Sequence, residues 1–136
     1  MFKRFKTSKL NIVAGVCAAV LLASSAVPAM AYDHFRSFGF NFDYGNTCVT
    51  ETEYKSTTDA VTMKCTGSED LSPYSYSATV CSDEGERDVS YNYLVGTFHT
   101  YQVPEYQGKG VYMEARLNGD DVDSFWGEWN PDDSRY

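Results

Sequence analysis

Phe38-Gly39-Phe40-Asn41-Phe42-Asp43-Tyr44 sets an aromatic ring at every second position, with small or polar residues between. Side chains along a strand alternate between its two faces, so this stretch reads as a half-buried strand with its rings turned inward. Tyr44-Gly45-Asn46 then carries turn chemistry.

The same period recurs downstream. Residues 47–55 are rich in β-branched side chains and read as a second strand. Residues 60–66 read as a third, with Val61, Met63 and Cys65 on one face. Residues 74–82 set Tyr74, Tyr76, Ala78 and Val80 against Ser75, Ser77 and Thr79. After the charged turn Asp83 to Asp88 comes a long strand or bent strand pair, from Val89 through Tyr101, with Gly96 as the bulge or bend. Val111, Met113, Ala115 and Leu117 alternate with Tyr112, Glu114 and Arg116. Asn118-Gly119 is the chain's strongest short hairpin signal. The last strand runs from Val122 to Trp129 and is expected to stop at Pro131. About seven short strands with turns every ~8–12 residues predict an all-β fold: a small antiparallel β-sandwich, immunoglobulin-like or jelly-roll-like. Helical spacing is almost absent.

The N-terminus has a different pattern. Lys3, Arg4, Lys6 and Lys9 precede an apolar run from Ile12 to Val27, which ends at Ala29-Met30-Ala31. Basic flank, apolar run and A-x-A end are the marks of a secretory signal, with cleavage between Ala31 and Tyr32. The run is short of the ~20 apolar residues of a membrane span and contains Gly15, Ser24, Ser25 and Pro28. Cys17 has Val16 before it and more apolar run after it, which excludes a lipoprotein signal. The expected organisation is therefore a cleaved signal over 1–31 and one secreted β-sandwich domain over 32–136, with no membrane span after cleavage.

Four of the eleven Lys and Arg residues lie before Ala31 and all nineteen acids after it. That leaves seven cations against nineteen acids in the mature chain, a formal charge of −12. Such a chain is repelled by phosphate backbones and anionic lipid, so nucleic acid is not an expected partner. Three cysteines remain after cleavage, in a compartment that permits disulfides. A hairpin turning near Ser56-Thr57 would set Cys48 opposite Cys65, and cross-strand Cβ separations of ~4.5–5.5 Å suit a disulfide. Cys81 would be left over, buried and inert or pairing between chains.

Chemistry is sparse in the sequence. There is no G-x-S-x-G and no His/Cys ligand cluster, and His34 and His99 are the only histidines. His34 sits where chain ends fray and His99 in a strand, so neither predicts catalysis. No enzyme and no cofactor are expected. Asp120, Asp121 and Asp123 follow the Asn118-Gly119 turn and are the candidate for a cation such as Ca²⁺. Their spacing is not that of an EF-hand loop, and a solvated hairpin tip is the preferred account of them, with a weak cation site as the alternative. The aromatic set is the most suggestive binding feature. Tyr91, Tyr93, Tyr112, Trp126 and Trp129, with Tyr101 and Tyr106, could stack on sugar rings or form a protein-binding face.

The chain closes with Gly127-Glu128-Trp129-Asn130-Pro131-Asp132. This G-x-W-x-P-D run resembles the terminal motif of a domain-of-unknown-function family of small secreted proteins from Gram-positive bacteria. Members share a signal peptide, an aromatic alternating strand at the mature start, and Thr/Ser/Tyr-rich strands before the tryptophan motif. Some accompany bacteriocin export and immunity gene sets. The resemblance implies a secreted, non-enzymatic protein acting by surface contact, linked to bacteriocin production or immunity, and it supplies no catalytic residues. The alternative is a carbohydrate- or cell-wall-binding domain using exposed Tyr and Trp. The partner, a protein or a cell surface, and the oligomeric state are not written in the sequence.

Overall fold

The computed structural model describes residues 35–69 and 74–136. The expected signal, its cleavage site at Ala31 and Tyr32, and His34 lie outside these residues. Nine strands form two antiparallel sheets: β1 (Arg36–Asp43), β2 (Thr47–Val49), β3 (Glu53–Tyr54), β4 (Ala60–Ser68), β5 (Tyr76–Ser82), β6 (Arg87–Tyr93), β7 (Phe98–Tyr101), β8 (Gly110–Leu117) and β9 (Val122–Asp133). The first sheet has the order β1-β9-β4-β7; the second has β2-β8-β5-β6, with β3 also on β8. The fold is the expected all-β sandwich, with nine strands among the described residues against an expected seven or so. The surplus comes from two divisions: 47–55 breaks into β2 and β3, and the long segment after Val89 into β6 and β7.

Alternation decides the core. Phe38, Phe40 and Phe42 are buried, as are Val111, Met113, Ala115 and Leu117 from the opposite sheet. Tyr44 leaves the pattern: its φ of 46° and that of Gly45, 84°, make the turn after β1, and its ring is exposed. The rings of Tyr76 and Tyr93 stack at 5.2 Å, and Phe125 closes on Tyr76 at 4.9 Å. Each such pair adds roughly 0.5–1.5 kcal/mol beyond area burial. Tyr101 donates to the Ala78 carbonyl at 2.9 Å, so Tyr93, 3.0 Å away, donates to the Tyr101 hydroxyl. Burial pushes both phenols well up, and they stay protonated.

Two expectations fail for one reason: the chain changes sheets at most of its connections. β2 pairs with β8, placing Cys48 beside Ala115, whereas β4 pairs with β9, placing Cys65 beside Gly127. The hairpin that would have joined Cys48 to Cys65 does not form, and all three described cysteines are free thiols. Asn118-Gly119 likewise joins β8 to β9 across the sandwich rather than within a hairpin. Asn118 is held toward β5 instead, its N–H on the Ser75 carbonyl at 2.9 Å and its side-chain amide on the Ser75 hydroxyl at 2.9 Å. At Gly96, with φ 91°, the segment after Val89 bends from the second sheet to the first.

Pro131 does not end β9, which runs on to Asp133. Thr62 faces Asn130 while Ala60 faces Asp133, so β9 carries one extra residue there. A bulge is where a strand tolerates a residue without an N–H, and Pro131 with Asp132 fills it.

Candidate binding face

The bulge builds a buried polar knot. Lys55 is fully buried, and its ammonium donates to the carbonyls of Asp59 and Pro131 (the latter at 2.8 Å) and to Asp132 Oδ1 at 3.1 Å. The Asp132 carboxylate also accepts the Ser56 N–H and hydroxyl at 2.8 and 2.7 Å, and the Thr57 N–H and hydroxyl at 3.0 and 2.9 Å. Beside it, Asp133 accepts from Thr62 at 2.7 Å and from the Arg135 guanidinium at 2.8 and 2.7 Å. Burial pushes the Asp132 carboxyl up, but the Ser56, Thr57 and Lys55 donors outweigh it and hold it below the ordinary range. The Arg135 side chain does the same for Asp133.

Both carboxyls therefore bind protons less readily in the native state than in the unfolded one. Their contribution to stability is complete above the unfolded value near ~3.9 and is lost as pH falls through the lowered native values. The urea midpoint should fall between pH 6 and pH 3, and fall less in Asp132→Asn/Asp133→Asn. Equal pH sensitivity in the two proteins would refute the assignment.

The tail motif is thus occupied in holding the fold. Trp129 is a core residue, 1 % exposed, and Gly127 lies where an added Cβ would come 2.0 Å from the Lys64 carbonyl oxygen. Of the other expected contact residues, Tyr93, Tyr101 and Tyr106 are also buried. Tyr91 is half-buried, its ring stacked on His99 at 4.4 Å, and His99 Nε2 meets the Asn92 carbonyl at 3.1 Å. Tyr112 is half-buried beside its cross-strand neighbour Cys81. Burial pushes all three thiols up, leaving them weak nucleophiles.

Asp120, Asp121 and Asp123 do not converge. Asp121 accepts the Tyr74 hydroxyl and the Val122 N–H, both at 2.8 Å, while Asp123 is buried and accepts the Ser124 N–H. Among the described residues no group of three or more His, Cys, Asp or Glu gathers around a point that could hold a metal ion.

Trp126 is the member of the aromatic set that the fold leaves outside. Three residues from Trp129 and so of opposite parity, it stands on the outer face of the first sheet and is 46 % exposed. Its cross-strand neighbours are Gly39 on β1 and Gly67 on β4. A Cβ on Gly67 would fall 2.4–2.7 Å from the indole Nε1, Cε2 and Cζ2, so the ring rests directly on that backbone. At Gly39 the space is open. Around this ring lie Ser37, Asn41 and Ser124, and the cross-strand pair Lys64 and Glu128. Next to Gly39 the open edge of the sandwich forms a groove lined by Arg36, Ser37, Val49, Thr50, Glu51 and Glu53 among others, with Arg36 on Glu53 at 3.0 Å.

Fold and face together define a small β-sandwich with a sealed, hydrogen-bonded tail and one exposed indole on a polar sheet. No protein-family model matches the chain, and no curated protein matches it.

Proposed function

We propose that this is an exported, non-enzymatic protein that works by surface contact through the outer face of its first sheet, in the setting of bacteriocin production or immunity that its tail resembles. Trp126 carries the reading. A chain that buries Trp129 and four of its tyrosines keeps the other indole outside, between two glycine neighbours. Exposed Trp is a frequent anchor of contact surfaces. Support for export comes from the basic, apolar and A-x-A zones of residues 1–31. Partner chemistry at such a face can be protein or glycan, and the isolation of the ring within a polar rim favours glycan as the second reading.

Expression in a Gram-positive host should yield a supernatant product beginning at Tyr32. That product should bind intact cells, and Trp126→Ala should lose the binding with an unchanged melting temperature. Turnover of ester, peptide or glycoside substrates that disappears in His99→Ala would refute the non-enzymatic reading. Retention of Lys3 to Ala31 on exported material would refute processing.

A further inference from the structure

We propose that Trp126 is the stacking platform for one pyranose ring of a neutral glycan, which continues across Gly39 into the groove at the β1 edge. The inference rests on the surface-contact reading above and names its ligand class.

Three observations select the occupant. The first is shape. The indole lies on the Gly67 backbone, and Gly39 on the opposite flank carries no side chain and meets nothing within 4 Å. A flat ligand laid on the ring and reaching toward β1 therefore crosses β9 to a bare shelf two inter-strand steps from the Gly67 backbone, roughly 10 Å. Past that shelf, Ser37 and Gly39 also line the groove at the β1 edge, so a ligand that crosses Gly39 reaches it. The C–H face of a pyranose complements the negative face of an indole, and Ser37, Asn41 and Ser124 supply neutral donors and acceptors beside the ring and shelf.

The second is size. Another exposed ring of this sheet, Phe98, stands at the β7 end of the Glu128–Lys64 row and packs on Tyr136 at 5.5 Å. A single indole falls far short of the ~800 Å² per partner that a stable protein interface or a dimer of this chain would bury. The third is charge. Lys64 offsets Glu128 across the strand pair, and Arg36 is paired with Glu53 in the groove. The mature chain as a whole is strongly acidic. Polyanionic glycans are thereby repelled, and uncharged ones are not.

The test is a fluorescence titration of the processed protein with cellohexaose, chitohexaose and oligogalacturonate, run beside sedimentation analysis. A neutral hexasaccharide should shift the emission saturably, a monosaccharide should do so at least tenfold more weakly, and the galacturonate should have no effect. Trp126→Ala, which keeps Trp129 as a reporter, should abolish the shift. Gly39→Val places a side chain on the open shelf without a positive φ to strain, and should weaken binding at least tenfold at unchanged melting temperature. No saturable shift with either neutral probe, or shifts untouched by both substitutions, would overturn the glycan. If Trp126→Ala still loses cell binding in that case, the contact reading stands and only the ligand class fails. A dimer that dissociates in Trp126→Ala would give the face to a second copy and overturn the proposal.

Discussion

Lys55→Met should destabilise the sandwich by about 3–5 kcal/mol, the cost of breaking a buried ion pair from one side. The substitution keeps the stem's volume and removes the ammonium. Asp132 is left as a buried carboxylate without its counter-charge, and the carbonyls of Asp59 and Pro131 lose the donor they share. Each orphaned buried acceptor costs roughly 1–3 kcal/mol by itself. Against the ~5–15 kcal/mol total of a typical domain, the loss is a large fraction. With an m-value of about 1.5 kcal/mol/M, the urea midpoint should move down by roughly 2–3 M. Lys55→Met/Asp132→Asn should recover part of this, because it removes both charges together and keeps a side-chain oxygen for the Ser56 and Thr57 donors. A loss under about 1 kcal/mol in the single variant would mean that water reaches the knot.

Gly127→Ala is expected to be comparably severe through a different route. Gly127 lies in β9 opposite Phe38 on one side and Cys65 on the other. The added methyl would sit 2.0 Å from the Lys64 carbonyl oxygen and 2.9 Å from the Phe38 ring. The first of these is backbone in a ladder and has no rotamer to change. Overpacking a core ordinarily costs about 1–3 kcal/mol, and forcing β9 away from β4 should reach or exceed that ceiling. Gly67→Ala is the internal comparison. The nearest atoms to its methyl belong to the Trp126 indole, a surface side chain that can swing away. That variant should cost about 1 kcal/mol or less and shift the Trp126 emission to the red. Thermal melts of the two side by side decide the matter, and equal destabilisation would show that the Gly127 contact relaxes.

These two sites also mark how far the sequence could be read. Phe38, Phe40 and Phe42, and Val111 through Leu117, were legible because a period of two states which side of a strand is apolar. Parity could also have separated Trp126 from Trp129, since an odd spacing sends them to opposite faces. Alternation is silent about which sheet a strand joins. Cys48 and Cys65 therefore looked like cross-strand partners while lying in opposite layers, and Asn118-Gly119 looked like a hairpin while bridging them. Lys55 was illegible for a further reason. Its neighbours Ser56, Thr57, Thr58 and Asp59 have the composition of a solvated loop, and the carboxylate that buries it arrives from the last strand. The Gly39 and Gly67 flanks of Trp126 depend on strand pairings of the same long range.

The position of β9 has a consequence for how the chain acquires its shape. The strand lies between β1 and β4, with Arg36 opposite Trp129, yet it is the last of the nine in chain order. Contact order is accordingly high, which places folding in the slow, millisecond-to-second class. A polypeptide emerging from the ribosome cannot complete its first sheet until Val122–Asp133 is available. One interrupted before that point would carry β1 and β4 with open ladders, a template for aggregation.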